Sequence, residues 1–289
     1  MISKEQIAQF NKQGFVVVDG VISDGMLKAL NIDLQTWVQE SRGHDIAWGV
    51  TIDGRPRFDV DIQDHSADHP SLRRVSSPTE ISESYLKVAM HSDMAEIAGV
   101  LIGAQGARFH HSKINAKLPH TKTSVKWHQD FPFTPHTNDD LVTALLMVGD
   151  VTEDNGPLQV IPGSHRGPLY SHWHNGVFTG AVAQEIINDH CSDYVSCTGR
   201  QGAVCFMHTR LLHSSGANAT DYSRNLFIAV YAAEDALALS ESPLPSAHAG
   251  SLVYGTESEM VRVTPNHIRL PEKPKGASFF LQQAGADIS

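Results

Sequence analysis

The chain has 289 residues, of which 41% are hydrophobic and 19% charged, and its formal net charge is −10. This composition supports a folded core and argues against extensive disorder. No basic run suggests a nucleic-acid-binding face, no apolar run is long enough to span a membrane, and the opening segment lacks the apolar core of a secretion signal. Three cysteines are an odd number in a long chain, which argues against a disulfide framework. We therefore expect a cytoplasmic protein that binds neither nucleic acid nor membrane, and the sequence leaves its oligomeric state open.

The N-terminal third is predicted to be mainly helical, with one strand. Ser3 begins a capping-box pattern, and Gly14 can end the helix that follows. Ser23 can cap a second helix, and Asp93 with Glu96 forms a capping pair for the last one. The predicted strand is 15–18, and the predicted helices cover about 3–14, 23–43, 79–90 and 93–102.

After Gly106 the pattern changes to short apolar runs broken by Pro, Gly, Asn and Asp. Such runs are typical of a β-sandwich or barrel. The predicted strands are 108–117, 141–148, 157–161, 203–207 and 225–231.

One of these strands has an unusual polar face. Side chains alternate along a strand, so one face of 108–117 is predicted to carry Phe109, His111, Lys113, Asn115 and Lys117. Two lysines do not suit an apolar interior. This face either meets solvent or lines a polar cavity.

The segment KWHQDF contains a His and a carboxylate two residues apart, His128 and Asp130. On a strand both side chains point to the same side, and His213 can complete a set of three ligands. Two histidines and one carboxylate leave metal positions open, as in non-haem Fe(II) oxygenases. Arg224 follows eleven residues after His213, and its fork suits a carboxylate such as that of 2-oxoglutarate. Taken singly, His213 also fits a turn histidine and Arg224 a surface ion pair.

Three motifs in order carry a resemblance: HQD at 128–130, NGPLQVIPGSH at 155–165, and HSSGAN at 213–218 followed by Arg224. Together they resemble the phytanoyl-CoA dioxygenase family over about residues 3–20 and 107–232. That family comprises 2-oxoglutarate-dependent Fe(II) oxygenases, including ectoine and organophosphonate hydroxylases. The resemblance implies a mainly β (α+β) fold, a double-stranded β-helix (a cupin-like jelly roll) with N-terminal helices packed outside.

The resemblance also implies roles for individual residues. It makes His128, Asp130 and His213 the catalytic iron ligands. It makes Arg224 the anchor of the 2-oxoglutarate carboxylate, assisted by Ser215. Other implied contributors to the cosubstrate pocket are Asn115 and Thr143. Because Asp130 is present, hydroxylation is favoured over halogenation, with Fe(II), 2-oxoglutarate and O2 as the reaction's requirements.

The substrate is predicted from the polar strand face. Lys113, Lys117 and His111 favour a small anionic or zwitterionic metabolite, such as an organophosphonate, an amino acid or a betaine. The alternatives are an acyl-CoA or lipid hydroxylase of the same family, a Zn or Mn cupin enzyme that does not use 2-oxoglutarate, and an inert binding protein.

The chain is predicted to be a single domain over 1–289. Its parts are a helical region (1–105), a jelly-roll core (about 106–235) and a C-terminal extension (236–289). An insertion at 166–200, which contains His172, Trp173 and His174, is predicted to be either a mobile lid or a plain surface loop.

Overall fold

A computed structural model describes residues 1–272 and 279–284. The strands are β1 (Phe15–Val18), β2 (Phe58–Val60), β3 (Leu72–Ser76), β4 (Gly106–Lys117), β5 (Val125–His128), β6 (Leu141–Met147), β7 (Leu158–Val160), β8 (Trp173–His174), β9 (Val177–Phe178), β10 (Val195–Cys197), β11 (Val204–His208), β12 (His213–Ser215), β13 (Arg224–Ala233) and β14 (Leu252–Gly255). The helices are α1 (Lys4–Gln13), α2 (Asp24–Ser41), α3 (Glu83–His91), α4 (Asp93–Ile102), α5 (Gln184–His190) and α6 (Phe279–Ala284).

Two antiparallel sheets form the body of the protein. The larger has the strand order β1-β11-β6-β13-β4-β3-β2, with β14 also paired to β4, and the smaller has the order β10-β7-β12-β5. Strands that are distant in sequence are neighbours in both sheets, which agrees with the predicted jelly roll. The cluster between the sheets includes Leu145, Val160 and Met207, all of them buried.

The outer face of the large sheet is covered by helices, as predicted. The hydroxyl of Tyr85 in α3 donates to the carbonyl of Leu30 in α2, and the hydroxyl of Tyr231 in β13 donates to the carbonyl of Ala89. Tyr85 also meets Phe227 of β13 edge to face, with ring centroids 4.9 Å apart. These buried phenols therefore satisfy their polar ends while packing the helices on the sheet.

The first two helices begin as predicted. Ser3 and Gln6 form a reciprocal capping box, and Ser23 accepts a hydrogen bond from the backbone N–H of Met26. Gly14 ends α1 at φ 81°, a left-handed conformation that favours glycine.

The two later helices differ at their starts. Pro78 lies in a separate short 3-10 turn, so α3 begins only at Glu83, after its N-cap Ser82. The predicted capping pair of α4, Asp93 with Glu96, was wrong. Ser92 caps this helix, because its hydroxyl accepts from the N–H of Met94.

The prediction of a single strand in the N-terminal third was also wrong, because β2 and β3 both join the large sheet. The two adjacent arginines of β3, Arg73 and Arg74, interrupt its apolar residues, so the sequence did not predict a strand there. Arg73 is tolerated inside because its Nε donates to Asp59 at 2.8 Å. The large sheet therefore draws strands from outside the predicted core of 106–235.

The polar face of β4 is real, but it does not include Phe109. A bulge at His110 lies between two cross-strand pairs, Val230 with His111 and Tyr231 with Phe109. Phe109 therefore turns toward the helices, where its ring meets that of Tyr231. The prediction that Phe109 shares a face with the lysines was wrong because strict alternation fails at this bulge.

All three cysteines are buried and free, in agreement with the prediction of no disulfide framework. Among the described residues, no helix combines the length and the apolar character needed to cross a membrane.

Candidate active site

Two histidines face each other across the small sheet. His128 ends β5, His213 begins β12, and the two are cross-strand partners. Asp130 lies beyond the end of β5, with helical backbone angles of φ −73° and ψ −34°. The expectation that Asp130 lies on the strand was therefore wrong, and a turn rather than alternation brings its carboxylate to the histidines.

The three donor atoms converge on one point. Oδ1 of Asp130 lies 3.6 Å from Nε2 of His128 and 3.7 Å from Nε2 of His213, and all three donors lie within 4.8 Å of one another. Two donors that bind one ion at about 2.1 Å lie at most about 4.2 Å apart, so both distances from Asp130 fit a shared divalent ion. Nitrogen, nitrogen and carboxylate oxygen on one side suit Fe(II) and leave its other positions accessible.

Hydrogen bonds orient each of the three donors. Nδ1 of His128 lies 2.8 Å from the carbonyl of Lys126, and Nδ1 of His213 lies 2.8 Å from the carbonyl of Leu211. A proton held on each Nδ1 leaves the Nε2 lone pair facing Asp130. The hydroxyl of Thr143 donates to Oδ2 of Asp130 at 2.8 Å, so Thr143 contacts the ligand carboxylate directly.

The site favours the metal-binding forms of His213 and Asp130. Burial lowers the pKa of His213 to about 3. Burial alone would raise the pKa of Asp130, but nearby His213, His128 and the charge of Lys113 outweigh it and lower that pKa below its ordinary value. A neutral His213 beside an ionised Asp130 presents the forms of these two groups that bind a metal.

Gln129, between His128 and Asp130, connects this region to the insertion at 166–200. Its amide donates to the carbonyls of Pro168 and Arg210, and its Oε1 accepts from the N–H of Tyr170. The N–H of Gln129 also bonds Nε2 of His172, a buried residue. This part of the insertion is thus a packed wall behind the ligands, and lid motion stays a prediction.

A cavity between the sheets, here called the inner cavity, extends from the three donors to Arg224. Its described lining also includes Asn115, Lys117, Thr143 and Ser215. Arg224 is buried, with Nε donating to the carbonyl of Gly156 at 2.9 Å. Burial lowers its pKa to about 9, and no described carboxylate acts on that pKa. The far end of this cavity therefore carries a fixed cation without an anionic partner among the described residues.

The structure places Lys117 beside Arg224. Nζ of Lys117 donates to the hydroxyl of Ser215 at 2.8 Å and to the carbonyl of Gly216. Burial, followed by the charge of Arg224, lowers the pKa of Lys117 to about 5. Because Ser215 accepts from Lys117, its hydroxyl hydrogen is free to meet a ligand. Lys117 thus lies with the predicted cosubstrate residues, apart from Lys113 and His111.

The segment NGPLQ has a local structural role at the same end. Gly156 has φ 79°, and a Cβ there would lie only 2.7 Å from the carbonyl oxygen of Gly216. Only glycine fits this close contact between the two loops. The contact sets the carbonyl of Gly156 where Arg224 donates to it.

A second cavity, here called the outer cavity, opens on the other side of Asp130. Its described lining includes Arg55, Arg74, His111, Lys113, Phe133 and Leu244. Lys113, Asp130 and Phe279 line both cavities. Burial and the charge of His110 keep the pKa of His111 well below its ordinary value, so His111 is a neutral imidazole.

Sequence reasoning missed Arg74, Gln129 and Phe279. An arginine pair between Leu72 and Val75 was the available signal for Arg74, since such a pair is unusual inside a strand. Gln129 lies within the HQD motif, but the motif itself indicates roles only for His128 and Asp130. Phe279 belongs to α6, whose sequence contains no titratable or metal-binding side chain that would have indicated a site.

Comparison with known proteins identifies the family of the chain. A sequence model of the phytanoyl-CoA dioxygenase (PhyH) family matches residues 10–226, more than half of the chain. The chain is 34% identical over 171 residues to the probable alpha-ketoglutarate-dependent hypophosphite dioxygenase of Stutzerimonas stutzeri, which covers 57% of this chain and 58% of that protein. It is 26% identical over 250 residues to the ectoine dioxygenase of Sphingopyxis alaskensis, covering 80% and 76% of the two chains.

The crystal structure of EctD from S. alaskensis with bound Fe superposes with a TM-score of 0.66 at 22% identity, covering 91% of this chain and 87% of that one. This likeness confirms the predicted double-stranded β-helix. The match to the hypophosphite dioxygenase spans little more than half of that relative's length. The predicted enzyme class, a 2-oxoglutarate-dependent dioxygenase, is that of the family and of the hypophosphite dioxygenase named above. This chain is a member of the phytanoyl-CoA dioxygenase family.

Proposed function

We propose that this chain is a 2-oxoglutarate- and O2-dependent Fe(II) hydroxylase that acts on a C–H bond of a small polar, anionic or zwitterionic metabolite. One observation carries the proposal. A single cavity joins three convergent metal donors, His128, Asp130 and His213, to a buried Arg224 that has no described carboxylate partner. A dianion with a metal-binding end and a free carboxylate end matches both ends of that cavity.

In this proposal His128, Asp130 and His213 hold Fe(II), and Thr143 keeps the carboxylate of Asp130 oriented. When bound, Fe(II) and 2-oxoglutarate supply the O2 activation that hydroxylation of an unactivated carbon requires. The protein's part is to bind, orient and exclude water.

Arg224, Ser215 and Lys117 form the other end of the cosubstrate site. The guanidinium of Arg224 binds the distal carboxylate, and the free hydroxyl hydrogen of Ser215 donates to the same group. Lys117 lies within reach of both. Asn115 lines the same cavity, and its buried Oδ1 has no hydrogen-bond partner among the described residues.

Lys113 and His111 face the outer cavity, where the substrate is proposed to bind next to Asp130. The hypophosphite named for one relative is a small anion, which supports an anionic substrate here. An acyl-CoA substrate has less support, because Arg74, His111 and Lys113 stand among the apolar residues that line the outer cavity next to Asp130. A Zn or Mn enzyme without 2-oxoglutarate would give Arg224 no ligand.

The test is anaerobic addition of Fe(II) and 2-oxoglutarate to metal-free protein, followed through the weak visible charge-transfer band of the chelate. We expect the band in wild type and its loss in Asp130→Ala. The matched control is Asp154→Ala, which removes an exposed carboxylate and should leave the band unchanged. A folded wild-type protein that binds iron without forming the band would refute 2-oxoglutarate use. A protein that binds no iron would be an inert scaffold.

A further inference from the structure

A buried guanidinium and a half-buried ammonium group converge in the outer cavity. Cζ of Arg74 lies 5.6 Å and Nζ of Lys113 lies 5.9 Å from the ring centroid of Phe279. Arg74 is on β3 and pairs across the sheet with Asn115, so Lys113 is its diagonal neighbour on β4. Both line the cavity next to Asp130.

Arg74 makes no ion pair with any described carboxylate. Its Nε and Nη1 are buried without a hydrogen-bond acceptor among the described residues. Burial lowers its pKa to about 10 against the opposing charge of Asp59, so Arg74 stays charged at neutral pH. An unpaired buried guanidinium is costly, and its persistence points to a ligand that completes its hydrogen bonds.

Neighbouring arginines do have carboxylate partners, so the unpaired state of Arg74 is not a general property of the region. Arg55 lines the same cavity, but its Nη2 lies 2.8 Å from Oδ2 of Asp53. Arg73, next in sequence to Arg74, is paired with both Asp59 and Asp61. Arg74 alone of these three lacks a carboxylate contact within the part of the chain that the structure describes.

The nearest compensating charge for Lys113 is a metal ligand. Asp130 raises the pKa of Lys113, while burial, the larger effect, and Arg74 lower it, to about 8. Asp130 is the only carboxylate among the described lining residues. A divalent ion bound to Asp130 would more than neutralise that carboxylate. The loaded outer cavity would then carry uncompensated positive charge.

We infer that Arg74 and Lys113 form an oxyanion clamp that binds the acidic group of the substrate, a carboxylate or a phosphorus oxyanion. The inference rests on the proposed function, which it deepens by naming the substrate's recognised group and a new residue, Arg74. The planar fork of Arg74 suits two oxygens of one acid group, and Lys113 adds a point charge. The clamp lies on the outer-cavity side of Asp130, apart from Arg224 in the inner cavity.

The rest of the outer cavity indicates the size and polarity of the substrate beyond its acid group. Apart from Arg55, whose charge is paired with Asp53, its other walls are mainly apolar, formed by Phe133, Val230, Pro243, Leu244 and Pro245 among others. A compact molecule with one acid group held by the clamp would turn its neutral part toward these walls. Its C–H bonds would then lie beside Asp130 and the metal position.

The experiment titrates anaerobic protein, Fe(II) and 2-oxoglutarate with methylphosphonate or propionate and follows the shift of the chelate band. The neutral dimethyl ester of methylphosphonate is the matched probe without charge. We expect at least one acid to bind and the ester not to bind. Arg74→Gln and Lys113→Gln should each weaken acid binding by at least about tenfold, because a charge-assisted hydrogen bond is lost in a dry site. Arg74→Lys should recover part of the loss.

Two controls establish that the loss is specific to the clamp. Arg108→Gln removes a cation of β4 that is paired with Glu257 and is absent from both cavity linings, and should weaken acid binding by less than about threefold. The affinity for 2-oxoglutarate should change by less than about threefold in Arg74→Gln, since Arg74 is absent from the inner-cavity lining. A large loss of 2-oxoglutarate affinity with unchanged acid binding would make Arg74 a cosubstrate residue and overturn the clamp. Equal binding of acid and ester would also overturn it.

Failure of the proposed function would be visible separately, as a missing chelate band in folded wild type. In that case calorimetric titration of metal-free wild type and Arg74→Gln with methylphosphonate still decides the clamp. Binding that is lost in the variant supports it, and no binding to either protein contradicts it. Near-ultraviolet circular dichroism establishes that each variant is folded.

Discussion

The two cavities that meet at Asp130 are built in different ways. The inner cavity is walled by regular strands: His128, His213 and Arg224 lie on β5, β12 and β13, each in a fixed register with its neighbour. The outer cavity combines residues of β3, β4, β13 and α6 with loops, including residues 51–56 and 243–245. Strand spacing gives the inner cavity a recognisable pattern of residues. The outer cavity has no such pattern, because its walls come from segments far apart in sequence.

This difference predicts that single changes in the inner cavity act on cosubstrate and metal, while those in the outer cavity act on substrate. The largest effect should come from Arg224→Gln, which removes the main cation that the described inner cavity offers to the distal carboxylate of 2-oxoglutarate. We expect 2-oxoglutarate affinity to fall by about a hundredfold, the scale of a lost bidentate charge-assisted contact. Anaerobic titration of the chelate band measures it, and Arg55→Gln serves as the control. Unchanged affinity would show that the inner cavity does not hold 2-oxoglutarate.

Thr143→Val tests the support of the metal ligands. The substitution keeps the shape of the side chain but removes the hydrogen bond to Oδ2 of Asp130. Lost outer hydrogen bonds of this kind weaken metal affinity by about ten- to a hundredfold. Fe(II) affinity, measured by competition with a chelator, should fall accordingly. An unaltered affinity would mean that Asp130 is oriented without Thr143.

The pKa of Lys117, lowered by burial to about 5, predicts proton uptake when 2-oxoglutarate binds. At pH 7 this lysine is neutral in the ligand-free protein, and a bound carboxylate favours its charged form. Affinity should therefore fall as pH rises above 5, by up to about tenfold per pH unit. Calorimetry in buffers of different ionisation enthalpy measures the proton, and Lys117→Met should abolish its uptake. Proton release, or no uptake in wild type, would contradict this assignment.

The lowered pKa of Lys117 also makes the free energy of unfolding depend on pH. Between pH 5 and the ordinary lysine range the unfolded chain holds a proton on Lys117 that the folded, ligand-free protein does not. The contribution of this group to the free energy of unfolding therefore rises with pH across that window.

The smallest predicted effect concerns the wall that the cavities share. Phe279 lines both cavities, and its ring centroid lies 5.7 Å from that of His128. Phe279→Ala loses aromatic contacts worth about 0.5–1.5 kcal/mol. We expect 2-oxoglutarate and methylphosphonate to bind about three- to tenfold more weakly. A loss confined to one ligand would show that α6 serves one cavity rather than both.

The inner cavity could be predicted from the sequence because its chemistry is concentrated in short motifs. HQD, HSSGAN and Arg224 placed every proposed metal and carboxylate contact except Lys117, which strand alternation had assigned to the substrate. Strand alternation predicts which face of the strand a side chain is on. It does not predict which cavity that side chain reaches along the length of the strand. Lys113 and Lys117 share a face, yet they are four residues apart and serve different ends of the site.

Other features depended on tertiary contacts that no local pattern contains. β3 is a strand although LRRVS lacks an apolar run, because Asp59 on the neighbouring strand pairs with Arg73. Asp130 reaches the histidines through a turn, which two-residue spacing alone does not distinguish from a strand. The role of α6 could not be predicted, because it depends on the tertiary contact between the rings of Phe279 and His128.

The bulge at His110 has a consequence for how β4 tolerates change in length. One extra residue acts on the strand as a frameshift acts on a reading frame: of the odd-numbered positions, Phe109 before the bulge packs in the apolar cluster under the helices, whereas His111 and Lys113 after it line the cavities. Deleting His110 would leave Phe109 and His111 as adjacent residues, which strand alternation places on opposite faces, so both would keep their present environments. Deleting Ser112 instead would move one side of the strand to the other face. The bulge is therefore a position at which β4 can lose a residue without mixing its apolar and polar faces.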